Sequence, residues 1–312
     1  MDTLTRPGPV DSPVRAGPRR RGRHGRRLGY GMLTPSLVVL AVLIILPLAY
    51  SLVLSLFSWK LTDLNLPKPF VGFDNYTRIL HDATVGRALV NTVIYVVGAI
   101  SVELVLGFVV AAALFEMTRG RKLANALILL PMIIAPVVTA LLWRYLLDPQ
   151  FGLVTQLSDA VGLPSGIGWF GSSGLALPSL IAVDVWQWTP FVVLVMHAGM
   201  LSINEEQFEA ARVDGAGHLR ILRSIVLPAI VPQILLILLF RTMDTYRIFD
   251  TVFVLTKGGP GLSTETIGLY TYRTGFSYFD MGYAMALSVF ILLTVLVISA
   301  FYIRLLRRRE AL

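Results

Sequence analysis

Residues 33–57 read LTPSLVVLAVLIILPLAYSLVLSLF, a run without a single charged side chain. Crossing a hydrocarbon layer about 30 Å thick takes roughly 20 apolar helical residues at about 1.5 Å each. This run is long enough to cross as one helix. Immediately before it stands Arg19-Arg20-Arg21-Gly22-Arg23-His24-Gly25-Arg26-Arg27. A basic cluster followed by an apolar run also describes a secretory signal, but this run is too long for the apolar core of one and lacks a small-residue cleavage site. It is expected to remain as a helix.

Five more apolar runs follow, at about Leu89–Phe115, Leu123–Leu147, Leu175–Leu201, Leu227–Tyr246 and Met281–Leu306. With 55% hydrophobic residues, 15% charged residues and a mean hydropathy of +0.71, the chain is an expected all-α, polytopic membrane protein of about six transmembrane helices. Residues 1–29 read as a disordered basic tail and 30–312 as the membrane domain. Prolines 35, 47, 131, 136, 190 and 232 fall inside spans. A bilayer tolerates them where neighbouring helices or a water-lined cavity satisfy the released carbonyls.

Charge fixes the expected orientation. Of 27 Lys and Arg, eighteen fall in the tail, the 119–122 turn, the 202–226 loop and the C-terminal 304–312 segment, against six in segments 58–88, 148–174 and 257–280. The positive-inside rule then places both termini in the cytosol. The net charge of +8 could suggest nucleic acid, but eight arginines lie in the first 27 residues without interleaved aromatics, so topology explains it better.

Several chemistries are excluded. There is no cysteine, and the four histidines are scattered, with no His-Glu-x-x-His run, so no metal site is expected. None of the four lysines follows a glycine, so no Walker A loop exists and the chain cannot itself be an ATPase. No nucleophile–base pair suggests an enzyme.

The loop from Ser202 to Pro228 is patterned as helix. Ser202 and Glu205 have capping-box spacing, and Glu205 and Glu206 suit the positive end of a helix dipole. Phe208, Ala211 and Val213 supply an apolar side. Gly215 and Gly217 permit a sharp turn, Leu219, Leu222 and Ile225 mark a second short amphipathic piece, and Pro228 stands where the fifth span is expected to begin. Such a helix-turn-helix also fits an interfacial element lying on lipid.

The residues add more than the pattern. Glu209-Ala210-Ala211, Gly215, Ile225 and Leu227-Pro228 resemble, in identity and spacing, the "EAA" loop of permease subunits in bacterial binding-protein-dependent ABC importers. Trp186-Gln187-Trp188-Thr189-Pro190-Phe191 and the stretch from Phe249-Asp250 to Gly258-Gly259-Pro260 resemble the carbohydrate branch of that family, the maltose and glycerol-3-phosphate type. Ile203-Asn204 departs from the Ile-Pro common there, but Asn is a good helix N-cap. The resemblance implies a cell-membrane subunit forming half of a pathway for a sugar or sugar-like solute. Glu209, Ala210, Ala211, Gly215, Ile225, Leu227 and Pro228 would form the coupling loop. It further implies a second permease subunit, two ATPase subunits that bind ATP and Mg, and an external solute-binding protein.

A proton- or ion-coupled secondary transporter is the alternative, since Glu103, Asp184, Arg241 and Asp244 fall within apolar spans. Arg241, Asp244 and Arg247 can also pair along one helix. Asp184, Trp188, Arg241, Asp244 and Tyr246 are the candidates to line a translocation path, with packing and ion pairing as the competing account.

Overall fold

The computed structural model describes residues 23–63, 68–162 and 166–310, with side chains described between 33 and 308. Among the described residues, those up to Tyr50 form one unit and those from Ser51 on another. The expected basic tail lies outside the described residues up to residue 22. Helix α1 (Arg23–Leu54) starts inside the arginine cluster rather than beyond residue 29.

Helices α2 (Asp74–His81) and α3 (Ala83–Glu116) follow, then α4 (Arg121–Ile133), α5 (Pro136–Leu146), α6 (Leu153–Ala160) and α7 (Ala176–Leu201). The loop beyond α7 holds α8 (Glu205–Val213), α9 (His218–Ile221), a π-helical stretch over 222–226 and the short α10 (Leu227–Ala229). The chain continues through α11 (Val231–Tyr246), α12 (Asp250–Leu255), α13 (Ile267–Phe276) and α14 (Met281–Glu310).

Among the described residues, four helices are long and apolar enough to cross a membrane unbroken, and the number reaches six when each of two bent pairs counts as one span. The third span is α4 with α5, bent by 94°, and the fifth is the 218–229 segment with α11, bent by 62°. The first bend has a local cause. A residue preceding proline is pushed out of the helical region, and before Pro136 both Ile134 (ψ 133°) and Ala135 (ψ 140°) are extended. In the second, Ile230 leaves helical geometry and Pro232 cannot donate to the preceding turn.

Helices α3 and α7 pack closely, with α7 side chains seated on glycines of α3. A Cβ on Gly107 would come within 2.4 Å of Val192 Cγ1, and one on Gly98 within 2.9 Å of Ile181 Cδ1. Without a hydrophobic drive between helices in lipid, such small-residue notches let dispersion contacts hold the pair. Around this axis lie three apolar clusters. One joins α3 and α7 to Phe208, Ile221 and Val226 of the loop, a second gathers Tyr246, Tyr270 and Tyr283 with α3, and a third joins Tyr95, Ala140, Leu180 and Val252.

The 257–280 segment, expected as loop, contains α13, whose first turn is capped by Thr266 Oγ1 accepting from Leu269 N. Asp82 caps α3 and also accepts from Tyr270 Oη at 2.7 Å and Tyr283 Oη at 2.9 Å, joining α3, α13 and α14. Burial alone would raise the Asp82 carboxyl; the two tyrosine hydroxyls and the Thr84 and Val85 amides instead hold it below its ordinary value.

Candidate functional site

Two groups of residues carry the functional reading, one exposed and one enclosed. In the exposed group, α8 starts at Glu205 with Asn204 as its N-cap, and neither Asn204 nor Ser202 caps it through a side chain. Ser202 Oγ donates to Gly199 O instead, so the expected capping box does not form. The acidic first turn of Glu205 and Glu206 still complements the helix dipole.

The far end of α8 explains two residues of the motif. Gly215 N–H donates to Arg212 O at 3.1 Å and Ala216 N–H to Ala211 O at 2.9 Å, the paired bonds of a Schellman turn. That turn needs a left-handed residue, and Gly215 has φ +75°. Gly217 has φ −69° and serves as the extended cap of α9, so only the first glycine makes the left-handed turn. Ala211 and Ala216, at the two ends of the closure, both pack on the α3–α7 core.

Phe208 anchors the loop, buried against Phe115 with ring centroids 5.5 Å apart. Glu209 and Ala210 point outward beside Val213 and Leu219, which are 87% and 79% exposed. His218 of α9 pairs with Glu116 at the end of α3. Ile225 is half-buried in the core, while Leu227 and Pro228 are exposed in α10. Pro228 lies in α10, and the long helix of the fifth span begins only at Val231.

The enclosed group centres on Arg241. Its Nε and Nη2 form a fork on Glu103, at 2.8 Å to Oε2 and 2.7 Å to Oε1. Nη2 also meets Asp184 Oδ2 at 2.5 Å, and Nη1 reaches Asp244 Oδ2 at 3.2 Å. The guanidinium stands 5.0 Å from the Trp188 ring centre. One side chain thus ties α3, α7 and α11. Arg241, Glu103 and Asp184 are at most 2% exposed, whereas the Asp244 side chain is 41% exposed and bridges on to Arg247.

Of the candidate path residues, Asp184, Trp188, Arg241 and Asp244 therefore meet, with Asp184 and Arg241 enclosed within the chain. Tyr246 does not join them; it is buried in the apolar cluster with Tyr270 and Tyr283. The pairing of Arg241, Asp244 and Arg247 along one helix is present, and Glu103 and Asp184 add the partners from other helices. The signal for Glu103 was a carboxylate midway along an otherwise apolar helix.

The buried Gln187 had no assigned role. Its Nε2 donates at 2.9 Å to the Ile134 carbonyl at the bend of the third span. On either side of it, Trp186 packs edge-on against Trp143 of α5, and Trp188 lies by Arg241.

A multi-pass helical permease with an ordered loop between its fourth and fifth spans is the class these features define. The chain belongs to the family of binding-protein-dependent transport system inner membrane components, whose model matches residues 103–311. It is 38% identical over 266 residues to a probable ABC transporter permease protein of Sinorhizobium fredii, covering 85% of each chain. It is 34% identical over 276 residues to the trehalose/maltose transport system permease protein MalF of Thermococcus litoralis, covering 88% of this chain and 90% of the relative. Among solved structures, a bacterial ABC transporter involved in import of the acidic polysaccharide alginate matches with a TM-score of 0.79 at 25% identity, covering 91% of this chain and 96% of the other.

Proposed function

We propose that this chain forms half of the translocation pathway of an ATP-driven importer for a sugar or sugar-like solute. The similarity to permeases named for trehalose/maltose, trehalose and sulfoquinovosyl glycerol transport, at 31–34% identity across most of the chain, carries the carbohydrate reading. Family membership favours ATP-driven over proton- or ion-coupled transport, and the pairing of the intramembrane charges with one another fits that preference.

In this reading the partners are a second permease subunit, two ATPase subunits that bind ATP and Mg, and a solute-binding protein outside the cell. The termini and the loop of Glu209, Ala210, Ala211, Gly215, Ile225, Leu227 and Pro228 lie on the cytosolic side. Supporting this is the surplus of Lys and Arg on those segments. Glu209, Ala210, Val213 and Leu219 offer an outward face to an ATPase cleft, and Phe208 transmits its displacement to α3 and α7. ATP-driven closure of the ATPase pair then swings the spans between two orientations, and the solute moves because it binds the two states unequally. At the path, Trp188 offers a ring face for a sugar and Asp244 a carboxylate for its hydroxyls, with Asp184 and Arg241 holding both in place.

The test is uptake into proteoliposomes holding the chain with its four partner subunits, with solute presented on the binding protein. Sugar accumulation should require hydrolysable ATP and survive collapse of ion gradients. Accumulation that follows a proton or sodium gradient without ATP would sink the reading.

A further inference from the structure

At the 94° bend between α4 and α5 the Ile134 carbonyl points out of both helices, and among the described residues no backbone amide reaches it. In a bilayer an unpaired carbonyl costs several kcal/mol. The partner comes from another span: Gln187, 2% exposed on α7, donates Nε2 at 2.9 Å. A glutamine amide buried at this depth is itself costly unless bonded, so the two groups need each other.

Both arms touch α7, but otherwise the bend divides their packing partners: α4 adds α3, whereas α5 lies chiefly against α12 and also touches α6. Only two residues, Ile134 and Ala135, intervene between the arms, both extended. The Trp143–Trp186 contact, with centroids 5.6 Å apart, fixes the far half of α5 to the same turn of α7.

We propose that Gln187 is a positioning residue for translocation, holding Ile134 as a defined pivot about which the α4 and α5 arms turn as rigid bodies. The pivot stands on the turn of α7 that also carries Asp184 and Trp188, so an angular change at the bend is passed to the Arg241 cluster through one backbone segment. The bent pair without this bond has a pivot free to wander, and the arms lose their fixed relation. This rests on the transport reading above.

The chain has no cysteine, so spin labels at Leu123→Cys on α4 and Tyr145→Cys on α5, in a complex with cysteine-free partner subunits, report the bend without background. Gln187→Met keeps the length of the side chain and removes the donor. In the reconstituted complex it is expected to assemble and to retain basal ATPase. The label-to-label distance distribution should broaden, and uptake should fall at least tenfold. Gln187→Asn, one methylene too short to reach, should do the same and serves where Gln187→Met assembles poorly. Unchanged label widths overturn the proposal even if uptake falls, because Gln187 then acts elsewhere. Failure of both variants to assemble also overturns it, since the bond would then be required for folding rather than positioning. A wild-type complex without ATP-driven uptake defeats the transport reading instead, and the label widths still decide the pivot.

Discussion

Arg241 and Glu209 are both charged residues in the second half of the chain, yet Arg241 is 2% exposed and contacts three carboxylates, whereas Glu209 faces outward without an ion pair among the described residues. The difference separates two uses of charge. Within the spans, a guanidinium is tolerable only because Glu103 and Asp184 surround it, and its effect is to tie three helices. On the loop, water solvates the carboxylate at little cost, and it stays available for a partner. Substitution in the first region should act on assembly, and in the second on coupling.

The largest effect tests the first half of that contrast. Arg241→Leu strands two buried carboxylates, at a cost of about 3–5 kcal/mol. We expect almost no monodisperse protein in detergent by size-exclusion chromatography, with partial recovery when Glu103→Gln and Asp184→Asn are added. Normal yield of the single variant would show that the cluster does not hold the helices. Next comes the loop. Gly215→Val forces a β-branched residue into φ +75°, costing about 1–2 kcal/mol locally. Glu209→Lys reverses an exposed charge. Both should leave insertion intact while abolishing most solute-stimulated ATPase, and normal stimulation in both would remove the loop from the coupling path.

At the exposed edge of the Arg241 cluster, Trp188→Ala and Asp244→Asn should each raise the half-saturating solute concentration several-fold, with basal ATPase retained. Identical uptake kinetics would confine this edge of the cluster to packing. The smallest effect concerns Asp82. Because its folded carboxyl is held below its ordinary value, near 3.9 in the unfolded chain, its contribution is present above that value and is lost as the pH falls through the lowered one. Thermal midpoints of wild type and Asp82→Asn should therefore differ most near neutral pH and converge as the pH falls through the lowered value. A constant gap would mean that Asp82 acts through shape alone.

What could be read from the sequence follows the range of the interactions. The apolar runs, the start of α8 at Glu205 and the left-handed turn at Gly215 are set within a few residues, and all are legible. Ser202 looked like a cap, but its hydroxyl found the nearer Gly199 carbonyl. Gly217 looked like a turn residue, but Gly215 had already completed the reversal. The Glu103–Arg241 fork joins residues 138 apart, and the Gln187–Ile134 bond residues 53 apart. Polar residues in apolar spans announce that they need partners without saying which. Tyr246 was misleading for a related reason, since one turn beyond charged residues on a helix does not decide which neighbour it packs against.

Helix α3 has 34 residues, about 51 Å along its axis. Even at a tilt of about 40°, a hydrocarbon layer of about 30 Å takes up only some 39 Å of it. About two turns must therefore stand clear of the acyl chains, and most of α3 between Val85 and Phe115 is apolar. If the local bilayer thickens or thins by a few ångströms, the boundary can move along Val105–Phe115, where no charged side chain stands, while Arg87 marks the limit at the other end. The helix that carries Glu103 at its middle has spare length on which hydrophobic mismatch can be absorbed, so the depth of the charged cluster need not follow the lipid.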